Sequence, residues 1–215
     1  MNRREFPWQL AGLTGLLSLT GRAAQAQGAP VEGRDFLRVS PPVPIAPTGK
    51  VEVVEFFWYG CPHCFALEPS LEAWVKKLPA TVHFERVAAT FTPMHSYHAR
   101  IYYALEILGK VEALHAKVFA AMHVQHQRLD KDADVVAFFN GQGLDGQKVL
   151  QTMKSFTVEG KLRQAKALAE GYKIDGVPTL GFQGRYTTSA ALTGSEARLY
   201  ATADALIARL RKSQG

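Results

Sequence analysis

The spacing of hydrophobic residues changes twice along this 215-residue chain, and it predicts three blocks of structure. Residues 51–58, VEVVEFFW, form a nearly continuous β-branched and aromatic run, which is typical of a strand covered on both faces. An apolar stripe at helical spacing follows, and it predicts a helix that ends near Lys77. Residues 81–88 predict a second strand, so the first block is the opening of a βαβ unit.

The second block, from about residue 96 to residue 171, has a helical period throughout. Start and stop residues divide it into several helices. Gly109 and Gly141 end two of them, Asp145 caps another, and Thr157 is the expected cap of the last.

The third block returns to strands and then to a helix. Residues 179–182 and 185–188 predict a hairpin around Gln183-Gly184, and residues 195–211 predict a closing helix. Ahead of the first block, the proline-rich residues 28–49 predict an extended arm with a short edge strand near residues 36–39.

The first residues have the features of an export signal. Arg3 and Arg4 precede a short apolar stretch, and Ala24-Gln25-Ala26 matches a small-x-small cleavage site, so residues 1–26 are predicted to be a signal peptide. The stretch is too short to span a bilayer. Arg3-Arg4-x-Phe6 resembles a twin-arginine core, and the sequence leaves the choice between that route and the Sec route open.

Composition and charge narrow the class of protein. Hydrophobic residues make up 47% and charged residues 20%, as in an ordinary soluble globular protein. The net charge of +6 is mild and no run of like charges occurs, so nucleic acid is not an expected partner.

Both cysteines of the chain lie in one motif, Cys61-Pro62-His63-Cys64. A structural disulfide here would close almost no loop and would stabilise little. A structural zinc site needs about four ligands, and no second Cys or His cluster completes one. A redox-active pair meets neither objection, because C-x-x-C ahead of a helix is a redox signature and disulfides persist in exported proteins.

Together these motifs resemble the DsbA family. The resemblance rests on E-F-F-W-Y-G before C-P-H-C, on the helical block, and on Gly176-Val177-Pro178-Thr179 before the hairpin. It covers roughly residues 49–211. It implies an α/β thioredoxin fold with an all-helical insertion between the β-α-β and β-β-α halves. The thioredoxin-like domain would comprise residues 27–95 and 172–215, and the insertion residues 96–171.

The resemblance also implies a function. These proteins are periplasmic thiol:disulfide oxidoreductases that donate a disulfide to unfolded or reduced exported proteins, and a DsbB-like, quinone-linked membrane partner re-oxidises them. No cofactor is implied beyond the Cys61–Cys64 disulfide. An isomerase or reductase, or a peptide-binding chaperone with incidental thiols, remains an alternative.

Roles for the cysteine pair and its neighbours follow from its position ahead of a helix and from the resemblance to the DsbA family. Cys61 would lie at a helix N-terminus, where unpaired N–H groups and His63 favour its thiolate. Pro62 is tolerated at the first helical position. Cys64 would be the more buried sulfur with the higher pKa, and Glu55 on the strand below would exchange its proton.

The substrate-binding residues are expected near Pro178, which the resemblance implies is cis and lies against the disulfide. The backbone of Val177 would pair with substrate like an added strand, beside Thr179. Tyr59 and Phe65 would hold peptide side chains. In contrast, residues 56–58 are expected to fill the core, and the histidines at positions 95, 98, 115, 123 and 126 to lie on helix surfaces.

Overall fold

A computed structural model describes residues 28–46 and 48–213. The predicted signal peptide lies outside these described residues. The fold is built on a five-stranded sheet with the strand order β1-β5-β4-β2-β3. The strands are β1 Leu37–Arg38, β2 Val51–Phe57, β3 Val82–Ala88, β4 Thr179–Phe182 and β5 Tyr186–Thr188.

Strand β2 lies inside the sheet, between β3 and β4, as its hydrophobic run predicts. All seven of its residues are buried. It pairs in parallel with β3 and antiparallel with β4. Its side chains belong to two hydrophobic cores, with Val53 in one and Val54 in the other. Coverage of both faces explains why the strand lacks an apolar–polar alternation.

The helices occupy three places in the chain. Helix α1, Pro62–Val75, connects β2 to β3, and five helices then precede β4. These five are α2 Pro93–Ile107, α3 Val111–His123, α4 Asp132–Gly141, α5 Gly146–Met153 and α6 Phe156–Gly171. After β5 come α7 Ala190–Thr193 and α8 Glu196–Lys212. The predicted β-α-β, helical block and β-β-α order is confirmed, whereas the division into domains at residues 95 and 172 stays a prediction.

Helix ends show where local prediction succeeds and fails. Asp145 caps α5 by accepting from the Lys148 N–H, as predicted. Thr157 was the wrong cap for α6, because the Ser155 hydroxyl accepts from the Val158 N–H and places the start two residues earlier. Helix α2 also starts before residue 96. Its N-cap is Thr92 and its first residue is Pro93.

Both hydrophobic cores include residues of β2. One core contains residues of α1 and α8 such as Leu67, Leu71 and Leu206. The other contains residues of the five helices α2–α6 such as Ile101 and Phe119. The end of β2 that leads to the cysteines therefore lies against both α1 and the five helices α2–α6. Within residues 28–46 and 48–213, no helix has both the length and the apolarity needed to cross a membrane.

Candidate active site

The two cysteines lie where β2 turns into α1. Residues 58–61 form a β-turn that the Cys61 N–H closes by donating to the Trp58 carbonyl, with N and O 3.0 Å apart. Gly60 is required in this turn, because a Cβ at its position would lie 2.3 Å from the Trp58 ring. Cys61 is the N-cap of α1 and Pro62 its first residue.

The two sulfurs differ in exposure and in acidity. Cys61 is 7% exposed and Cys64 is fully buried, and both are free thiols. A hydrogen bond from the Cys64 thiol, followed by backbone N–H groups of Cys64 and His63 and then the His63 charge, lowers the pKa of Cys61 to about 6 despite its burial. Burial chiefly, and then the adjacent Cys61, raise the pKa of Cys64 well above its ordinary value. The predicted difference in burial is present, and the two pKa shifts have the predicted directions, although His63 lowers the pKa of Cys61 less than the partner cysteine does.

The loop before β4 brings Pro178 to the cysteine pair. The Val177–Pro178 peptide bond is cis, as predicted. The Cys61 sulfur lies 3.4 Å from the Val177 carbonyl oxygen and donates to it when the thiol is protonated. The Thr179 hydroxyl donates to the Gly176 carbonyl at 2.8 Å and fixes the loop.

A groove opens beside this loop and begins at the exposed His63. Its volume is about 450 Å³, and apolar groups of Leu67, Pro178 and Ala190 line it. Asp175 and Glu196, both exposed, are its acidic residues. A peptide that reaches the Cys61 sulfur along this groove would therefore meet an apolar floor and two negative charges.

A cluster of buried charges lies on the α1 side of β2. Glu55 of β2 is paired in register with Arg86 of β3, and the Arg86 Nε lies 2.9 Å from Glu55 Oε2. The Arg86 Nη2 donates to Glu68 and Glu72 of α1, at 2.9 and 2.6 Å. Burial raises the pKa of Glu55 to about 8, despite the nearby guanidinium. Glu55 is therefore a carboxylic acid that keeps its proton at neutral pH. Only its ionised form, above that pKa, carries the negative charge that adds to the raised pKa of Cys64.

Comparison with known proteins agrees with this arrangement. A family model described as DSBA-like thioredoxin domain matches residues 72–199. The thiol:disulfide interchange protein DsbA of Pseudomonas aeruginosa is 39% identical over 202 residues, 94% of this chain and 95% of that protein. The corresponding protein of Burkholderia cepacia is 42% identical over 184 residues, 84% and 87% of the two chains.

Solved structures show the same relationship. The crystal structure of Pseudomonas aeruginosa DsbA matches with a TM-score of 0.81 at 39% identity, over 84% of this chain and 94% of that chain. DsbA from Xylella fastidiosa matches with a TM-score of 0.79 at 30% identity, over 85% and 98%. The chain belongs to the DsbA family. It has the thioredoxin fold with a helical insertion and is a thiol:disulfide oxidoreductase.

Tyr59 and Phe65 of this DsbA-family site were both expected to hold peptide side chains, and the structure separates them. Tyr59 is only 1% exposed, so the expectation that it holds a peptide side chain is wrong in this structure. Its hydroxyl lies 2.8 Å from the His115 Nδ1 inside the helical block. Phe65 is partly exposed and stacks on His123, so the expected contact with peptide stays a prediction.

Trp58 departs from the expectation that residues 56–58 fill the core. Phe56 and Phe57 are fully buried, but Trp58 is only partly buried and stacks on His95. It lines, together with Pro62, a second cavity of about 400 Å³. Residues of the C-P-H-C motif therefore border two cavities, this one at Pro62 and the first groove at His63.

The expectation that the histidines of the helical block lie on helix surfaces is wrong for two of them. His98 and His115 are 2% and 4% exposed. Their spacing along the helices does not reveal this, because the groups that face them come from the turn at residues 58–59. Within the described part of the chain, no group of three or more His, Cys, Asp or Glu residues could hold a metal ion.

Proposed function

We propose that this protein is a periplasmic oxidase that donates the Cys61–Cys64 disulfide to exported proteins. The observation that carries the proposal is the place of Cys61 at the N-cap of α1, where its sulfur accepts from the Cys64 N–H while Cys64 itself is buried. These surroundings lower the pKa of Cys61 to about 6 and raise that of Cys64. A low pKa at the outer sulfur stabilises the reduced form relative to the disulfide. The disulfide is therefore reactive because its product is stabilised.

The reaction consists of two thiol exchanges. A substrate thiolate attacks the Cys61 sulfur, the bond between Cys61 and Cys64 breaks, and Cys64 leaves as a thiolate. A second substrate thiolate then attacks the substrate sulfur of the mixed disulfide and expels the Cys61 thiolate, which is a good leaving group because its pKa is low. The substrate gains a disulfide and the protein takes up two electrons.

Glu55 supplies the proton that the departing Cys64 thiolate needs. A fully buried thiolate is costly, and the pKa of Cys64 is raised accordingly. Glu55 is fully buried nearby and retains its proton up to a pH of about 8. It can therefore protonate Cys64 without water entering the core.

The loop at Pro178 holds the substrate. The Val177 carbonyl faces the Cys61 sulfur, and its backbone pairs with an extended substrate segment, as in strand addition. Thr179 fixes the loop, and the groove that begins at His63 receives the side chains on one side of the reacting cysteine. Phe65, partly exposed on α1, contributes a further apolar contact.

The cellular setting of this proposal comes from the sequence and the family. Residues 1–26 direct export, by the Sec or the twin-arginine route, and a DsbB-like quinone-linked membrane protein re-oxidises the cysteine pair. The pair itself is the redox group, so the reaction uses no further cofactor. Unfolded or reduced exported proteins are the substrates.

The test is oxidation of a reduced peptide with two cysteines by stoichiometric oxidised protein. We expect rapid disulfide formation by the wild type and none by Cys61→Ser. A chaperone with incidental thiols would suppress aggregation equally well as Cys61→Ser and would not oxidise the peptide. An isomerase would rearrange a mispaired substrate faster than it oxidised a reduced one, so either result would contradict the proposal.

A further inference from the structure

Two histidines of α3 hold Tyr59 from opposite ends. The Tyr59 hydroxyl lies 2.8 Å from the His115 Nδ1. The His123 Nε2 lies 2.8 Å from the Tyr59 backbone oxygen, and because a carbonyl only accepts, the imidazole is the donor. Helix α3 therefore fixes both the side chain and the backbone of the residue two positions before Cys61.

A third histidine holds the preceding residue. The Trp58 Nε1–H donates to the His98 Nδ1, with the two nitrogens 3.0 Å apart. The other nitrogen of His98 lies 3.1 Å from the Arg128 carbonyl and donates to it. Helices α2 and α3 thus reach the two residues that open the active-site turn. We name His98, His115 and His123 the histidine clamp.

The surroundings of His115 determine which of its nitrogens carries the proton. Its Nε2 lies 3.5 Å from Glu68 Oε1, which also accepts from Arg86. An Nε2 lone pair facing that carboxylate would be repelled, so the hydrogen lies on Nε2 and Nδ1 accepts from Tyr59. Burial raises the pKa of Tyr59, so its hydroxyl keeps the hydrogen that it donates.

The position of this turn controls the surroundings of the Cys61 sulfur. The Cys61 N–H donates to the Trp58 carbonyl at 3.0 Å, and the Cys61 sulfur accepts from the Cys64 N–H at 3.4 Å. Hydrogen bonds weaken steeply as they lengthen or bend. A turn freed from the helical block would therefore move the Cys61 sulfur relative to the N–H groups that stabilise its thiolate.

We propose that the histidine clamp positions Cys61 by fixing Trp58 and Tyr59, so that the helical insertion sets the reactivity of the redox pair. The clamp residues do not contact the reacting sulfur and act through the turn. The inference rests on the proposed function only in taking Cys61 as the reacting sulfur.

Paired substitutions separate the hydrogen bond from the packing. In His115→Leu the apolar contacts with Phe57 and Phe119, whose ring centroids lie 5.1 Å from the imidazole, are largely kept but the acceptor is lost. In His115→Asn an amide oxygen can replace Nδ1 as acceptor. We expect Leu to raise the pKa of Cys61 by about half a unit or more, a roughly threefold change in its acid equilibrium. We expect the pKa of Cys61 in His115→Asn to lie closer to the wild-type value than to that of His115→Leu.

The same logic applies to His123 with a donor in place of an acceptor. In His123→Gln an amide N–H can replace Nε2–H, whereas His123→Leu cannot donate. We expect Gln to titrate near the wild type and Leu to show a raised pKa of Cys61. Ultraviolet absorbance of the thiolate as a function of pH is the measurement, because it needs no substrate.

A milder variant covers the case in which a leucine variant does not fold. Tyr59→Phe removes only the hydroxyl that His115 accepts from. Tyr102→Phe is the matched control, because Tyr102 is buried against the same imidazole at a centroid distance of 5.9 Å while Tyr59 makes the bond to Nδ1. We expect Tyr59→Phe to raise the pKa of Cys61 and Tyr102→Phe to leave it unchanged.

Three results would overturn the clamp. One is a folded His115→Leu or His123→Leu protein in which Cys61 titrates as in the wild type. Another is a pKa of Cys61 in His115→Asn and His123→Gln that is raised as much as in the leucine variants. The third is the same pKa of Cys61 in Tyr59→Phe and in Tyr102→Phe. A wild type that fails to oxidise a reduced peptide would instead overturn the proposed function, since the titration of Cys61 does not depend on it.

Discussion

The backbone N–H of Cys64 donates to the sulfur of Cys61, with the two atoms 3.4 Å apart. This contact follows from the position of Cys61 at the N-cap of α1, where the N–H three residues later has no partner within the helix. The second cysteine thus stabilises the first as a thiolate through both its backbone and its thiol. The two sulfurs of the reduced pair therefore differ: Cys61 carries the charge and Cys64 keeps its proton.

The first prediction concerns that second cysteine. The hydrogen bond from the Cys64 thiol is the largest factor that lowers the pKa of Cys61. We expect Cys64→Ala to raise the pKa of Cys61 more than His63→Ala does, and Cys64→Ser, which keeps a hydroxyl donor, to stay closer to the wild type. The rate of alkylation of Cys61 as a function of pH measures this. A larger effect from His63→Ala than from Cys64→Ala would contradict the assignment.

The second prediction concerns the rate of disulfide transfer. Glu55→Gln keeps the shape of the side chain but cannot give a proton to Cys64, so we expect reduction of the disulfide to slow by about tenfold or more at neutral pH. Stopped-flow fluorescence with a small dithiol measures the rate. Glu52→Gln is the matched control, because Glu52 is also a buried carboxyl group on β2 but bonds to His83. Equal rates in the two variants would rule out the role of Glu55.

The third prediction concerns stability as a function of pH. Burial raises the pKa of Glu55 from 4.5 to about 8, so the folded state holds a proton that the unfolded chain has lost over that interval. Because the folded state binds more protons there, its free energy of unfolding falls as the pH rises. Glu55→Gln removes this slope. We expect the free energy of unfolding of the variant, relative to that of the wild type, to rise by up to about 1.4 kcal/mol per pH unit between pH 4.5 and 8.

Urea unfolding of both proteins over that pH range provides the measurement. The comparison cancels the titration of other groups, among them the buried histidines. Parallel stability curves for wild type and Glu55→Gln would show that Glu55 ionises at its ordinary pH.

The fourth prediction concerns the choice of peptide. Asp175 and Glu196 line the groove beside Pro178, so a substrate with lysine next to its cysteine should react with a lower KM than one with glutamate. Exposed charges contribute about 0.2 to 1 kcal/mol each, so the double variant Asp175→Asn with Glu196→Gln should reduce the preference by several-fold. Glu112→Gln, exposed on α3 away from the groove, is the control. Selectivity that is unaffected by the double variant or by added salt would contradict this prediction.

Local pattern alone predicts the framework of the fold but not the partners of the active-site turn. The run at residues 51–58 specifies a strand inside the sheet because burial on both faces leaves it no polar alternation. Ser155 and Thr157 are both good caps, and only the chain path after α5 selects Ser155. The four-residue helix α7 is too short to give a period and was not predicted.

The site shows the same limit more clearly. The C-P-H-C motif is a local signal, whereas the place of Pro178 beside it is implied by the resemblance to the DsbA family. The burial of Tyr59 and His115 depends on a contact across 56 positions, which no spacing along a helix reveals. The sequence therefore predicts substrate binding by Tyr59, whereas its side chain is buried and contacts His115.

The most direct test of the account is the reduction potential of the cysteine pair against glutathione between pH 5 and pH 8. Below the pKa of Cys61, reduction takes up two protons and the potential falls by about 59 mV per pH unit. Above that pKa only Cys64 takes up a proton, and the slope falls to about 30 mV. We predict a break near pH 6, where Cys61 titrates. One unbroken slope of about 59 mV up to pH 8 would show that both thiols stay protonated and would contradict the thiolate account of this disulfide.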